Sequence, residues 1–203
     1  MNLMFYFLLS LTTVLAVTAS PGHPVLDIKG NIIFSGSYYV LPRMVGAGGG
    51  GLTLAPRVGH QCPLYVGMET HGNKGIPVRF SNWESRVGFV PEAENLNIEM
   101  DIKATTCVQS TYWYISASDS HFRTSLIAAG PKPNYFQIRK ASEDLNSYKI
   151  VCCSEDDDED CMDVGVFMDA SGNWRLGLNS KPFHVVFIRA SEDETLSKIK
   201  SII

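Results

Sequence analysis

The chain predicts an all-β fold, and three observations lead there. Turn-forming residues recur every 8–15 positions and divide the chain finely. Between them lie short runs rich in β-branched and aromatic residues. No part of the body shows the 3.6-residue periodicity of a long amphipathic helix. Eleven or twelve short strands without helical crossovers argue a barrel or a sandwich.

Taken in order, the 203-residue chain opens with a stretch set apart from the rest. Residues 1–19 carry no charged side chain, and 14 of them are apolar. Small residues close the stretch, with Val17 and Ala19 at positions −3 and −1 of a cut. This pattern reads as a secretory signal peptide. It predicts passage through an oxidising compartment, where disulfides persist. The extracellular space is the expected destination, with the vacuole as the alternative. Residues 20–191 are read as one β domain, and residues 192–203 as a flexible or processed tail.

The expected strands follow in sequence: Ser37–Leu41, Leu52–Ala55, Pro63–Gly67, Pro77–Phe80 and Leu96–Ile102, then Tyr112–Ser116, Tyr135–Arg139 and Tyr148–Cys152, and finally Val164–Met168, Trp174–Leu178 and Val185–Arg189. Within Leu96–Ile102 every second residue is apolar, the mark of a half-buried strand. Residues 135–144 resemble residues 186–193, each a strand running into an acidic turn. The Gly-rich run Gly46–Gly51 precedes a strand rather than a helix, so it lacks the helix N-terminus that a dinucleotide site needs. A mobile hairpin loop is expected there.

Charge is uneven. Seventeen basic and 21 acidic residues give −4, so no basic excess points to nucleic acid. Six of the acids are consecutive, Glu155 to Asp160, and read as a solvated, self-repelling loop without the EF-hand spacing. No second long apolar run follows the first, so the mature chain is expected to stay off membranes.

Five cysteines stand at 62, 107, 152, 153 and 161. Spacing alone does not choose among their pairings. Cys153 and Cys161 bracket the acidic run, and a bridge there would hold it as a projecting loop. Cys62 and Cys107 would then close a longer one. The loop-entropy account assigns roughly 4 kcal/mol to the longer loop and roughly 2.5 kcal/mol to the shorter. Cys152 and Cys153 are neighbours on a strand and point to opposite faces. Cys152 is read as a buried free thiol acting as a small hydrophobe, or as the link in a dimer.

Motifs for an enzyme are missing: the sequence holds no G-x-S-x-G, H-E-x-x-H or P-loop. Its five histidines lack ligand spacing, so no catalytic residue, metal site or cofactor is expected.

Several segments nevertheless resemble one known family. Val25-Leu26-Asp27-Ile28-Lys29-Gly30-Asn31-Ile32-Ile33, followed by Tyr39-Val40-Leu41, is similar to the N-terminal signature of the plant Kunitz inhibitors of the soybean trypsin inhibitor type. Tyr148–Cys153, Cys161–Val166, Asp169–Leu176 and Pro182–Arg189 resemble the C-terminal part of that family. The resemblance implies a β-trefoil: twelve strands, a six-stranded barrel and a hairpin cap. It also implies the bridges Cys62–Cys107 and Cys153–Cys161, leaving Cys152 free.

For function, the resemblance implies a secreted serine-protease inhibitor. Its reactive loop would be Ser81–Val90, with Trp83, Glu84, Ser85, Arg86, Val87 and Gly88 at its centre. Arg86-Val87 falls on the reactive bond, with Arg86 entering the S1 pocket of a trypsin-like protease. The family's loop-supporting Asn maps to Ser35, a shorter side chain. The loop is one residue longer than the family pattern, and Glu84 places an acid two residues before Arg86. The competing reading is a trefoil whose loop has degenerated, serving as a storage, defence or miraculin-like binding protein, or inhibiting another protease class. The expected partner is a trypsin-like serine protease, and the expected state is a monomer.

Overall fold

The structure is a computed structural model. It describes residues 22–43, 49–57, 59–70, 72–103, 105–107, 110–117, 124–142, 146–153, 160–169, 171–179 and 181–191. The signal peptide, the 192–203 tail, the acidic residues 155–159 and Gly46–Gly48 lie outside the described residues.

Twelve strands are described: β1 (Tyr38–Pro42), β2 (Leu52–Arg57), β3 (His60–Met68), β4 (Val78–Ser81), β5 (Asn97–Met100), β6 (Tyr112–Ile115), β7 (Ile127–Gly130), β8 (Gln137–Ser142), β9 (Ser147–Cys153), β10 (Cys161–Met168), β11 (Trp174–Asn179) and β12 (Val185–Arg189). They share one sheet, ordered β10-β11-β3-β7-β6-β5-β4-β1-β12-β9-β8. The additional pairing of β10 with β9 closes the ring, and β2 joins on β3. Closure leaves few free edges, the usual solution for an all-β chain.

Alternation along the strands fills the centre. Val40, Val66, Val78, Ile98, Met100, Ile138 and Val164 are fully or almost fully buried. Aromatic rings pack among them edge to face. Trp113 meets Phe136 with centroids 5.7 Å apart, and Phe80 meets Phe187 at 5.6 Å. The buried indole of Trp113 donates to the Met100 sulfur at 3.2 Å, so its N–H has a partner.

Two disulfides staple the sheet. Cys62–Cys107 joins β3 to the segment before β6, and Cys153–Cys161 joins β9 to β10 at a register pair. Cys152 is free. It packs against the core from β9, and its thiol lies 3.4 Å from the Tyr135 carbonyl. Burial pushes the thiol up to about 11, so it stays protonated and unreactive at neutral pH.

The Gly-rich run differs from expectation where it is described. Gly50 donates to Glu69 O at 2.7 Å and Gly51 to Asn73 O at 2.8 Å, while Glu69 N donates back to Gly51 O. A Cβ on Gly51 would sit 1.8 Å from the Lys74 carbonyl oxygen. Close backbone approach, rather than mobility, requires glycine at this position.

One turn occurs twice. Asp27-x-x-Gly30-Asn31 and Asp169-x-x-Gly172-Asn173 share residues and geometry. In the first, Asp27 Oδ1 accepts from the backbone of Lys29 and Asn31 at 2.8 Å. In the second, Asp169 Oδ1 accepts from Ser171 and Asn173 at 2.9 Å. The glycines take φ of 83° and 81°, a region open to glycine at no steric cost. The second copy gains a buried partner, since Arg175 Nε lies 3.1 Å from Asp169 Oδ2. The same guanidinium donates to the carbonyls of Ala55 and Pro56 on β2, bolting β11 to a neighbouring hairpin.

Candidate functional site

Residues 81–90 leave β4 and return towards β5. The two strands hold the base of this excursion, with Ser81 opposite Asn97. Asn82 turns the chain at φ 61°, a conformation that Asn tolerates. Its side-chain amide donates to Asn97 Oδ1 at 2.7 Å. At the far end, Phe89 bridges Phe34, and Val90 N donates to Ile33 O at 2.9 Å.

Between those anchors much of the chain is open to solvent. Glu84, Ser85, Arg86 and Gly88 are exposed, while Trp83 and Val87 are half-buried. Trp83 lays its ring against the core. Its indole N–H donates to the Val87 carbonyl at 2.8 Å. That bond crosses from one side of the Arg86–Val87 peptide to the other.

A second brace comes from outside the loop. Glu94 Oε2 accepts from Ser85 N at 3.0 Å. Glu94 is itself positioned by its neighbours. Ala93 N donates to Ile138 O at 2.9 Å, and Glu92 N donates to His23 O at 2.7 Å. Ser35, mapped by resemblance as the supporting residue, is exposed. Among the described residues it makes no hydrogen bond to the loop. Glu94 and Trp83 brace the loop instead. Sequence reasoning missed Glu94 because it lies eight residues beyond Arg86, and no periodicity links the two positions.

Arg86 adopts φ 53°, in the left-handed region. This is unusual for a residue with a Cβ and costs about 1–2 kcal/mol. Strain of this kind gathers at functional sites. A concave enzyme-like site is a different object. The cavity of about 680 Å³ between β2, β3 and residues 102–106 shares no residue with this loop. What the loop can do is enter another protein's cleft, with a fixed positive charge near its apex.

Comparison with known proteins agrees with this geometry. The legume Kunitz family, described as trypsin and protease inhibitor, matches residues 25–189. Kunitz trypsin inhibitor 4 of Arabidopsis thaliana is 46% identical, covering 98% of this chain and 96% of that one. The alpha-amylase/subtilisin inhibitor of Oryza sativa subsp. japonica is 36% identical, covering 90% and 92%. Among solved structures, the complex of porcine pancreatic trypsin with soybean trypsin inhibitor matches with a TM-score of 0.73 at 28% identity, covering 83% of this chain and 100% of that one. With these matches over nearly the whole described fold, the chain belongs to the Kunitz family of trypsin and protease inhibitors, β-trefoil proteins that are not enzymes.

Proposed function

We propose that the protein is a secreted inhibitor of trypsin-like serine proteases, with Arg86 entering the S1 pocket and Arg86–Val87 as the reactive bond. One observation carries this reading. Arg86 is exposed on a loop tethered on both sides of that bond, by Glu94 at Ser85 N and by Trp83 at Val87 O. A trypsin-like pocket ends in a carboxylate, which a guanidinium meets in two parallel hydrogen bonds. A braced loop avoids most of the ordering cost of binding. If the bond is cut, the Trp83 tether keeps the new amine close enough to rejoin.

Attack on the Arg86 carbonyl needs a defined approach geometry. Turning Arg86 out of the left-handed region returns its strain, about 1–2 kcal/mol, which offsets loosening of the Trp83–Val87 bond. The strained φ also favours a second reading, in which the loop is not displayed as a substrate. The protein then inhibits a different enzyme from another surface. The rice relative, an alpha-amylase/subtilisin inhibitor, has two targets and supports that reading.

Titration of trypsin, chymotrypsin and subtilisin with the mature protein, repeated with Arg86→Ala, separates the two. The expected result is stoichiometric trypsin inhibition, weakened about 1,000-fold or more by the substitution. No inhibition by the unsubstituted protein, or rapid cleavage after Arg86, overturns the proposal. Secretion rests on residues 1–19, and N-terminal sequencing of the mature chain should begin near Ser20. A mature chain beginning at Met1 contradicts it. The half-buried, protonated Cys152 supports a monomer over a Cys152-linked dimer.

A further inference from the structure

The N-terminal segment and the end of the loop meet in a three-way β arrangement. Pro24 bridges Pro91, Leu26 bridges Ile32, and Phe34 bridges Phe89. A closed cycle of backbone bonds lies between these pairs. Val25 N donates to Val90 O, Val90 N to Ile33 O, and Ile33 N to Val25 O, each at 2.9 Å. Val25, Ile33 and Val90 are 0% exposed and point into the core. Side chains alternate along extended backbone, so the flanking residues turn the other way. Those flanking residues carry no charge or polar side chain.

Two of them stay open: Ile32 is 40% exposed and Phe34 48%. Phe89 is half-buried beside Phe34. Adjacent large apolar groups left in water mark a contact surface. Their place is informative, because Phe89 lies three residues past Arg86, on the leaving-group side of the reactive bond. Interface size points the same way. A stable complex uses roughly 20–30 residues a side. The loop itself offers only ten, Ser81 to Val90.

We propose that Ile32, Phe34 and Phe89 form an apolar shelf that packs against the bound protease on the leaving-group side of Arg86–Val87. The shelf sets how long the complex lasts, while Arg86 sets which protease is chosen. This rests on the loop acting as proposed above. The occupant is the protease because the shelf is continuous with the loop through the Phe34–Phe89 bridge.

The test uses the full mature protein. Association and dissociation rates with trypsin are measured for Ile32→Ser/Phe34→Ser, for Phe34→Ser alone, and for Ile28→Ser. Ile28 is 52% exposed on the turn at the other end of the Asp27–Asn31 hairpin and serves as a matched control. Removal of buried interface anchors acts mainly on dissociation. The double variant is expected to dissociate roughly 10–100-fold faster with association within about 3-fold, and Phe34→Ser to give part of that effect. Ile28→Ser should behave as the parent, and all urea midpoints should coincide. An unchanged dissociation rate, in a background where Arg86→Ala abolishes inhibition, overturns the shelf and leaves the proposed function standing. A parent protein that neither inhibits trypsin nor binds it overturns both. A parent dimer that the double variant turns into a monomer, with unaltered dissociation from trypsin, assigns the shelf to a second copy and overturns the proposal.

Discussion

The Asp169–Asn173 turn and the Trp83–Val87 loop solve the same backbone problem in opposite ways. Each reverses the chain at a residue with positive φ. The turn places Gly172 there, at 81°, and the loop places Arg86, at 53°. Around Gly172 the carboxylate of Asp169 satisfies two backbone donors and the guanidinium of Arg175. Around Arg86, among the described residues, the side chains of Trp83 and Glu94 reach in, and both act on its neighbours. Where the turn serves the fold, strain is absent and polar groups are paired. In the loop, strain is kept and the Arg86 side chain is left exposed.

Arg175→Ala should produce the largest change in this contrast. Arg175 is 3% exposed and its partner Asp169 is nearly covered. Removing one member of a buried pair costs about 3–5 kcal/mol. Urea denaturation should show that loss, while the trypsin titration endpoint of the folded variant should match the parent. A loss below about 1 kcal/mol would mean that the turn is no more consolidated than the loop.

Glu94→Ala comes next, and it should act on the loop alone. It removes a charge-assisted hydrogen bond worth about 1.5–3 kcal/mol. The global urea midpoint should move little, because Glu94 lies at the rim of the fold. Cleavage after Arg86 by trace trypsin, followed by mass spectrometry, should quicken roughly 10-fold. Glu94→Gln retains an acceptor oxygen and should recover most of the parent behaviour. Equal cleavage in all three proteins would remove Glu94 as a positioning residue.

Acid gives the smallest and most gradual effect. Burial pushes the Asp169 carboxyl up, but hydrogen bonds from Asn173, Arg175 and Ser171 and the Arg175 charge outweigh it and leave it below its ordinary 3.8. Asp27 behaves alike, with burial outweighed by bonds from Asn31 and Lys29. A depressed folded value means that the unfolded chain binds more protons as the pH falls. The stabilisation is therefore complete above about pH 4 and fades as the pH drops through the folded values. Urea midpoints between pH 5 and pH 2 should fall more for the parent than for Asp169→Asn. Parallel slopes would show that the carboxylate contributes nothing specific to the turn.

Much of the fold was legible in the chain. Eleven of the twelve strands overlap runs picked out by turn signals and alternation. The missed strand, Ile127–Gly130, is built from Ile-Ala-Ala-Gly. Its four residues are all buried, so it shows neither polar alternation nor β-branched enrichment. Small residues suffice there because strands pack close on both sides, and Tyr114 leaves no room for a Cβ at Gly130. Spacing left the cysteines ambiguous; the resemblance implied the two bridges that the structure shows, and strand register accounts for one of them, since Cys153 and Cys161 face each other across β9 and β10.

The site divides in the same manner. Arg86 and its loop were singled out only through the family resemblance, which rests on motifs elsewhere in the chain. Glu94 and the shelf were not, because both depend on which distant segments share an edge.

By itself the sequence determined the all-β class and the strand periodicity, since each follows from neighbouring residues, and its family resemblance pointed to the loop that carries Arg86. Only the tertiary structure decided the left-handed Arg86, the Glu94 brace and the outward face of Ile32 and Phe34. These rest on long-range register, which joins residues 24–34 to residues 89–91 and has no signature in local composition.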